Sequence, residues 1–205
     1  MRALPELTDG RLYDLLEAGG EQACASARLL VRFVEEGANA PADLAEPERA
    51  CAKIVDEIRA HLLPAIVTSL PKADIEALSH ALAAIPVAAQ RFTERFRLAA
   101  GNLGGVDFAP PLNWIEELSE IVLDMIRQLR GFESLDRIKD LHPRLLKVAD
   151  RAEDQTQEIV NRAFQHPASP LVIMMVKDLG DQILAIIDLC REAGGLMNRI
   201  SLEFL

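Results

Sequence analysis

Aromatic residues are scarce in this chain of 205 residues, where Phe, Trp and Tyr together make up 4%. Cysteine is rarer still: Cys24, Cys51 and Cys190 stand far apart and lack the Cys-x-x-Cys spacing of zinc sites. An odd number of widely spaced cysteines is not typical of a disulfide framework. The sequence therefore predicts free, buried thiols in a reducing cytoplasm.

Basic residues are fewer than acidic residues. The chain has 22 Lys and Arg against 32 Asp and Glu, which gives a formal net charge of -10. Nucleic-acid binding requires a basic stripe that neutralises phosphates, so this composition argues against nucleic acid as a partner. The acidic composition indicates little else about function, because an acidic surface commonly keeps a protein soluble.

Long hydrophobic runs are absent as well. The longest uninterrupted apolar run covers positions 81–89, which is far short of the ~20 residues of a membrane-spanning helix. The first residues, Met-Arg-Ala-Leu-Pro, contain no apolar segment of the kind found in signal peptides. We therefore expect a cytoplasmic protein that does not span a membrane.

Helical periodicity dominates what is present, and strand alternation is nearly missing. Half of the residues are apolar, enough for a large core. Thr8, Ser134 and Ser169 are the predicted N-caps, and Pro86 and Pro143 are predicted to kink their helices. The pattern predicts six helices, at about 9–36, 47–63, 71–100, 112–130, 134–165 and 169–203.

The clearest linker covers positions 101–111, which contain three glycines and end in two prolines. It divides the chain into repeat one, about 9–100, and repeat two, about 112–205, each with three helices. Three-helix units of this size need each other for stability. We therefore predict an all-α fold, a six-helix bundle in which positions 1–205 form a single domain.

Two short segments in equivalent helices resemble each other. Positions 48–52 read Glu-Arg-Ala-Cys-Ala, and positions 150–154 read Asp-Arg-Ala-Glu-Asp. Asp150 and Asp154 lie one helical turn apart, opposite the apolar stripe of their helix, and Asp188 faces away from the stripe of the last helix. If these helices are neighbours, the three carboxylates could meet and hold a hard cation or iron. The alternative is an ordinary solvated face.

Motifs of enzymes are missing. The four histidines are scattered and form no Glu-x-x-His pair, and no Gly-x-Ser-x-Gly, P-loop or dinucleotide fingerprint occurs. Cys190 lies on an apolar stripe, where packing explains it better than catalysis. We therefore expect no enzymatic activity, no catalytic residue and no organic cofactor.

Three segments resemble the PhoU-like phosphate-transport regulators, in particular the branch associated with Pit-type phosphate transporters. Positions 12–17 (Leu-Tyr-Asp-Leu-Leu-Glu) resemble the family's opening helix, and positions 66–75, ending in Asp-Ile, resemble its Phe-Ile-Thr-Pro turn. Lys-Asp-Leu at 177–179, followed by Asp-Leu-Cys at 188–190, resembles its last helix. The order and spacing of these segments extend the resemblance over nearly the whole chain.

The resemblance implies a bundle of two three-helix repeats with acidic metal-binding motifs in each. Repeat one keeps Glu48 but has Ala52, Ala83 and Val87 where the family has acids, so its cluster is predicted to be lost. Repeat two keeps Asp150, Asp154 and Asp188 and has Leu184 in place of a further acid. This degenerate set leaves room for a single divalent metal or iron ion at most.

The resemblance implies regulation rather than catalysis. We expect a non-enzymatic, cytoplasmic accessory protein of inorganic phosphate transport, which contacts a phosphate transporter or a related regulatory protein at the membrane. Two alternatives stay open. One is a metal-binding helical protein that uses the residual carboxylates, and the other is a helical scaffold or dimerisation module without metal. A homo-oligomer is compatible with each of them.

Overall fold

The computed structural model describes residues 10–39, 43–131, 135–165 and 169–203. Within them the chain forms six α-helices and no strand, which confirms the predicted all-α class. A short 3-10 turn over Ala100–Asn102 follows the third helix. In chain order the helices are α1 Gly10–Glu36, α2 Ala45–Leu62, α3 Lys72–Ala99, α4 Ala109–Gln128, α5 Leu135–Gln165 and α6 Pro170–Glu203.

The largest difference from the predicted boundaries is at the start of α4, which begins inside the predicted linker. Pro110 and Pro111 occupy its first turn, where the missing N–H of proline costs no helical hydrogen bond. The Asp107 carboxylate accepts a hydrogen bond of 2.9 Å from the backbone N–H of Ala109. The two prolines therefore open the helix and do not end the linker.

Capping explains the start of α6. The backbone N–H of Val172 donates to Ser169 Oγ at 3.3 Å, which confirms the predicted N-cap. The predicted caps Thr8 and Ser134 lie outside the described residues. Both α3 and α5 continue past their internal prolines, Pro86 and Pro143.

The helices pack as two similar groups of three. In the first half α2 lies against α1 and α3, and in the second half α5 lies against α4 and α6. The halves meet where α1 packs on α4 and where α3 packs on α6. Four inner helices thus carry the shared core, and α2 and α5 lie outside them. The assignment of all 205 residues to one domain stays a prediction.

Side chains from both halves build one hydrophobic cluster. Near the C-terminal end of α3, the rings of Phe92 and Phe108 lie 6.2 Å apart, and those of Phe33 and Phe96 lie 5.6 Å apart. All four rings are buried, and edge-to-face pairs of this kind add stability beyond their burial. Four of the seven phenylalanines therefore meet where α1, α3 and the start of α4 pack together.

Ion pairs line the exposed margin of the contact between α1 and α4. Arg127 Nε donates to Glu17 at 2.9 Å, and Arg28 Nη2 donates to Glu120 at 2.8 Å. These pairs join the two halves across the surface, where such contacts contribute little individually. None of the described helices has both the length and the apolar character that crossing a membrane requires.

Candidate functional site

The acidic residues singled out by sequence lie along neighbouring helices. Asp150 and Asp154 belong to α5 and Asp188 belongs to α6, and these two helices pack directly against each other. The approach is close at Gly180, where a Cβ atom would lie 2.7 Å from Cγ2 of Val160. All three aspartates are exposed. Their position on the outer surface, away from the core, is as predicted.

A guanidinium brings two of these aspartates together. Arg191 Nη2 donates to Asp150 at 2.9 Å and to Glu153 at 2.7 Å, and Arg191 Nη1 lies 3.3 Å from Asp188. We call Asp150, Glu153 and Asp188 the α5–α6 acid cluster. Asp154, the third predicted residue, makes no ion pair with Arg191 in this arrangement.

Arg191 is firmly charged in this setting. Burial of its side chain opposes the charge, but the hydrogen bonds to Glu153 and Asp150 outweigh burial and raise the pKa of the guanidinium above its usual value. The Arg191 side chain is 24% exposed, against 70% for Asp150 and 72% for Asp188. The positive group is therefore the better shielded partner, and the carboxylates close over it from both helices.

This arrangement does not fit a resident metal ion as it stands. The point where the three carboxylates converge holds a guanidinium, and a second cation beside it would be repelled. Among the described residues, no group of three or more His, Cys, Asp or Glu side chains is disposed to hold a metal. Metal binding by Asp150, Asp154 and Asp188 stays a prediction, and it requires Arg191 to move away.

Sequence reasoning missed two members of this site. Glu153 lies inside the segment 150–154, between the two aspartates that the spacing argument names. Arg191 follows Asp188 by three residues, and side chains three apart share one face of a helix. This three-residue spacing is enough to predict an ion pair between Asp188 and Arg191 from the sequence. Whether the Arg191 side chain also reaches Asp150 and Glu153 depends on how α6 packs against α5.

The corresponding region of repeat one offers little charge. Ala52 is exposed on α2, while Ala83 and Val87 are half-buried on α3. Glu48 is the acid retained there, in the first turn of α2. Apolar side chains thus occupy the positions where the family resemblance would place acids. The two halves therefore differ in charge at these positions although they share their architecture.

The thiols are unsuited to nucleophilic chemistry. Cys24, Cys51 and Cys190 are all free and buried, as predicted. Burial raises the pKa of Cys51 and of Cys190 to about 12 in each case. Burial also raises the pKa of Cys24, which donates to the carbonyl of Ser119. A thiol that stays protonated at neutral pH is a packing group rather than a reactive one.

A depression lies at the other end of α5. It has a volume of about 690 Å³ and opens between the glycine-containing segment 102–107 and the last turns of α5. Its charged lining residues include Glu158 and Arg162, which pair with each other at 3.0 Å. No cysteine or histidine belongs to its described lining, whose acidic residues are Asp107 and Glu158.

Comparison with solved structures shows the fold. A PhoU-like protein from Shewanella oneidensis MR-1 superposes with a TM-score of 0.75 over 93% of this chain and 99% of its own, at 16% sequence identity. A second protein of that organism, described provisionally as a PhoU-like phosphate regulatory protein, gives 0.67 over 94% and 99%, also at 16% identity. No protein-family model matches the chain, and no curated protein matches it. The chain thus has the PhoU-like fold.

Proposed function

We propose that this chain is a non-enzymatic, cytoplasmic accessory protein that regulates inorganic phosphate transport, acting on a Pit-type phosphate transporter. One observation carries the proposal: six helices in two groups of three superpose along almost their full length on PhoU-like proteins, one of them described as phosphate regulatory. The resemblance of three sequence segments to the branch associated with Pit-type transporters supports the choice of transporter.

The chemistry of the surface supports a regulatory rather than a catalytic role. The buried thiols are held protonated, and the carboxylates of the α5–α6 acid cluster are paired with Arg191. An enzyme needs titratable groups poised at a cleft. The described residues instead offer paired charges and a rigid helical frame, which suits protein–protein contact.

Phosphate uptake tests the proposal in cells. Deleting the gene should change the rate of inorganic phosphate uptake, and the wild-type gene supplied in trans should restore it. The tagged protein should also co-purify with the phosphate transporter encoded nearby. Unchanged uptake together with failure to co-purify would exclude the proposed function.

A second candidate function is the binding of one divalent or iron ion, and one observation favours it. Three carboxylates from two helices already converge on a single positive group, at 2.7 to 3.3 Å. Oxygen donors of this kind suit hard cations. Elemental analysis of the protein purified without chelators tests it. A stoichiometric metal that is lost in Asp188→Asn would favour this candidate, and a metal-free protein would remove it.

A further inference from the structure

The segment that joins α2 to α3 is unusual for a surface loop of an acidic protein. Positions 62–71 contain no charged residue, although 26% of the chain is charged. Three aliphatic side chains of this α2–α3 loop project into solvent: Leu63 is 79% exposed, Ile66 95% and Val67 68%. Single exposed aliphatic residues need no explanation, but three within five positions at one tip form an apolar projection.

The exposed side chains are displayed by an ordered backbone. Lys72 Nζ donates to the carbonyl of Leu62 at 2.9 Å and to that of Ala65 at 2.5 Å, so one ammonium clamps the loop at two points. The hydroxyls of Tyr13 and Ser69 are hydrogen-bonded at 2.7 Å, which ties the loop to α1. Holding the loop in one shape lowers the entropy that a binding partner would have to remove.

The surrounding charges argue against a lipid surface as the partner. The neighbouring cations are engaged: Arg11 pairs with Glu57, Arg199 pairs with Asp74, and Lys72 holds the loop carbonyls. Peripheral membrane binding usually combines apolar residues with available Lys or Arg, often with aromatic anchors. The loop has no aromatic residue, and a net charge of -10 repels anionic lipid.

Self-association through the loop alone is too small to be stable. Three aliphatic side chains offer on the order of 400 Å², about half of the ~800 Å² per partner that a standard interface buries, which is too little for a stable dimer but compatible with a transient regulatory contact. A concave apolar site on another protein would bury these side chains more completely, because a pocket surrounds the anchor on several sides. An uncharged, aliphatic groove matches both the shape and the neutrality of the loop.

We infer that the α2–α3 loop is a docking element, and that Leu63, Ile66 and Val67 insert into an uncharged apolar groove on the cytoplasmic side of the phosphate transporter. This assignment rests on the proposed function for the identity of the partner. The loop supplies the anchor and Lys72 keeps it in the docking shape. Polar and charged residues around it form the rim, which affects orientation more than affinity.

Binding to the reconstituted transporter tests the inference. The inorganic phosphate transporter of the same genome is placed in lipid nanodiscs, and the affinity of the full chain is measured by biolayer interferometry. Ile66→Asp puts a charge into the groove and should weaken binding roughly ten- to a hundredfold, the range expected for losing one buried aliphatic side chain. Lys72→Met releases the loop and should weaken binding less, with all the apolar side chains still present.

Leu98→Asp is the matched control, because Leu98 is 76% exposed and lies near the C-terminal end of α3, away from the loop. It should bind as the wild type does. Thermal unfolding should be equal for Ile66→Asp and the wild type, since position 66 contributes almost no burial. Weakening by Ile66→Asp but not by Leu98→Asp supports the docking role.

Four other outcomes would overturn the inference. Wild-type binding that Ile66→Asp leaves unchanged excludes the loop and leaves the proposed function intact. Equal binding to nanodiscs of phosphatidylethanolamine and phosphatidylglycerol without the transporter identifies lipid as the partner. A wild-type dimer that Ile66→Asp dissociates, seen by light scattering, identifies a second copy. Absence of any wild-type binding rejects the proposed function together with this partner.

Discussion

Replacing Arg191 by Met tests whether the guanidinium takes the place of a bound cation in the α5–α6 acid cluster. The change keeps a long side chain and removes its charge, leaving Asp150, Glu153 and Asp188 without their shared partner. A divalent ion placed about 4 Å from the guanidinium would be repelled by about 2 kcal/mol even at the permittivity of water. Removing that repulsion corresponds to about a thirtyfold gain in affinity.

Isothermal titration calorimetry with Mn²⁺ measures this gain directly. We expect Arg191→Met to bind Mn²⁺ about thirtyfold more tightly than the wild type. In the double variant with Asp188→Asn the gain should shrink, because one oxygen ligand loses its charge. Arg144→Met is the matched control: Arg144 lies on α5 and, like Arg191, pairs with a carboxylate, Glu117, at 2.9 Å, but it does not belong to the α5–α6 acid cluster.

Stability provides a separate readout for the same variant. The acid cluster is largely exposed, and exposed ion pairs contribute at most ~1 kcal/mol each. Arg191→Met should therefore lower the free energy of unfolding by about 1 kcal/mol, and by less at high salt, where charges are screened. Tight Mn²⁺ binding by the wild type, or equal affinity in both proteins, would refute the idea that Arg191 stands in for a metal.

Further predictions concern packing, pH and thiol reactivity. Gly180→Ala should destabilise the protein by roughly 1–3 kcal/mol in urea unfolding, because the new Cβ would lie 2.7 Å from Val160 Cγ2. Gly195→Ala is the control: a Cβ at position 195 would have no neighbour within 4 Å, so this change should stabilise the protein slightly. The pKa of Glu17 lies below its ordinary 4.5, chiefly because its carboxylate accepts a hydrogen bond from Arg127. This carboxylate therefore contributes stability above about pH 4.5 that disappears as the pH falls, and the difference between wild type and Glu17→Gln should narrow from about pH 7 to about pH 3. The three buried thiols should react with Ellman's reagent only after unfolding, and rapid labelling of the native protein would contradict their protonated, buried state.

The helices could be predicted closely because each is long and strongly periodic. The bounds of α1, α5 and α6 differ from the predicted ones by no more than about one residue, and the N-cap at Ser169 is confirmed. The start of α4 was misplaced because Pro110 and Pro111 read equally well as the end of a linker and as the first turn of a helix. Local sequence does not separate these two cases.

The acid cluster could be predicted only in part. Helical periodicity correctly placed Asp150 and Asp188 on the outer surface, since that depends on one helix at a time. The role of Arg191 depends on the distance and rotation of α6 against α5, which periodicity does not supply. A long side chain can cross that gap and choose among several acids, so its partners Asp150 and Glu153 become apparent only in the packed structure.

Reconstituted transport gives the most direct test of the proposal that the chain regulates inorganic phosphate transport. Liposomes that contain the purified phosphate transporter are loaded with the full chain on the cytoplasmic side of the transporter, and initial uptake of radiolabelled phosphate is recorded. We expect uptake to change in a saturable manner with the amount of chain, and Leu98→Asp to act like the wild type. An uptake rate that stays the same at all concentrations of the chain would contradict it.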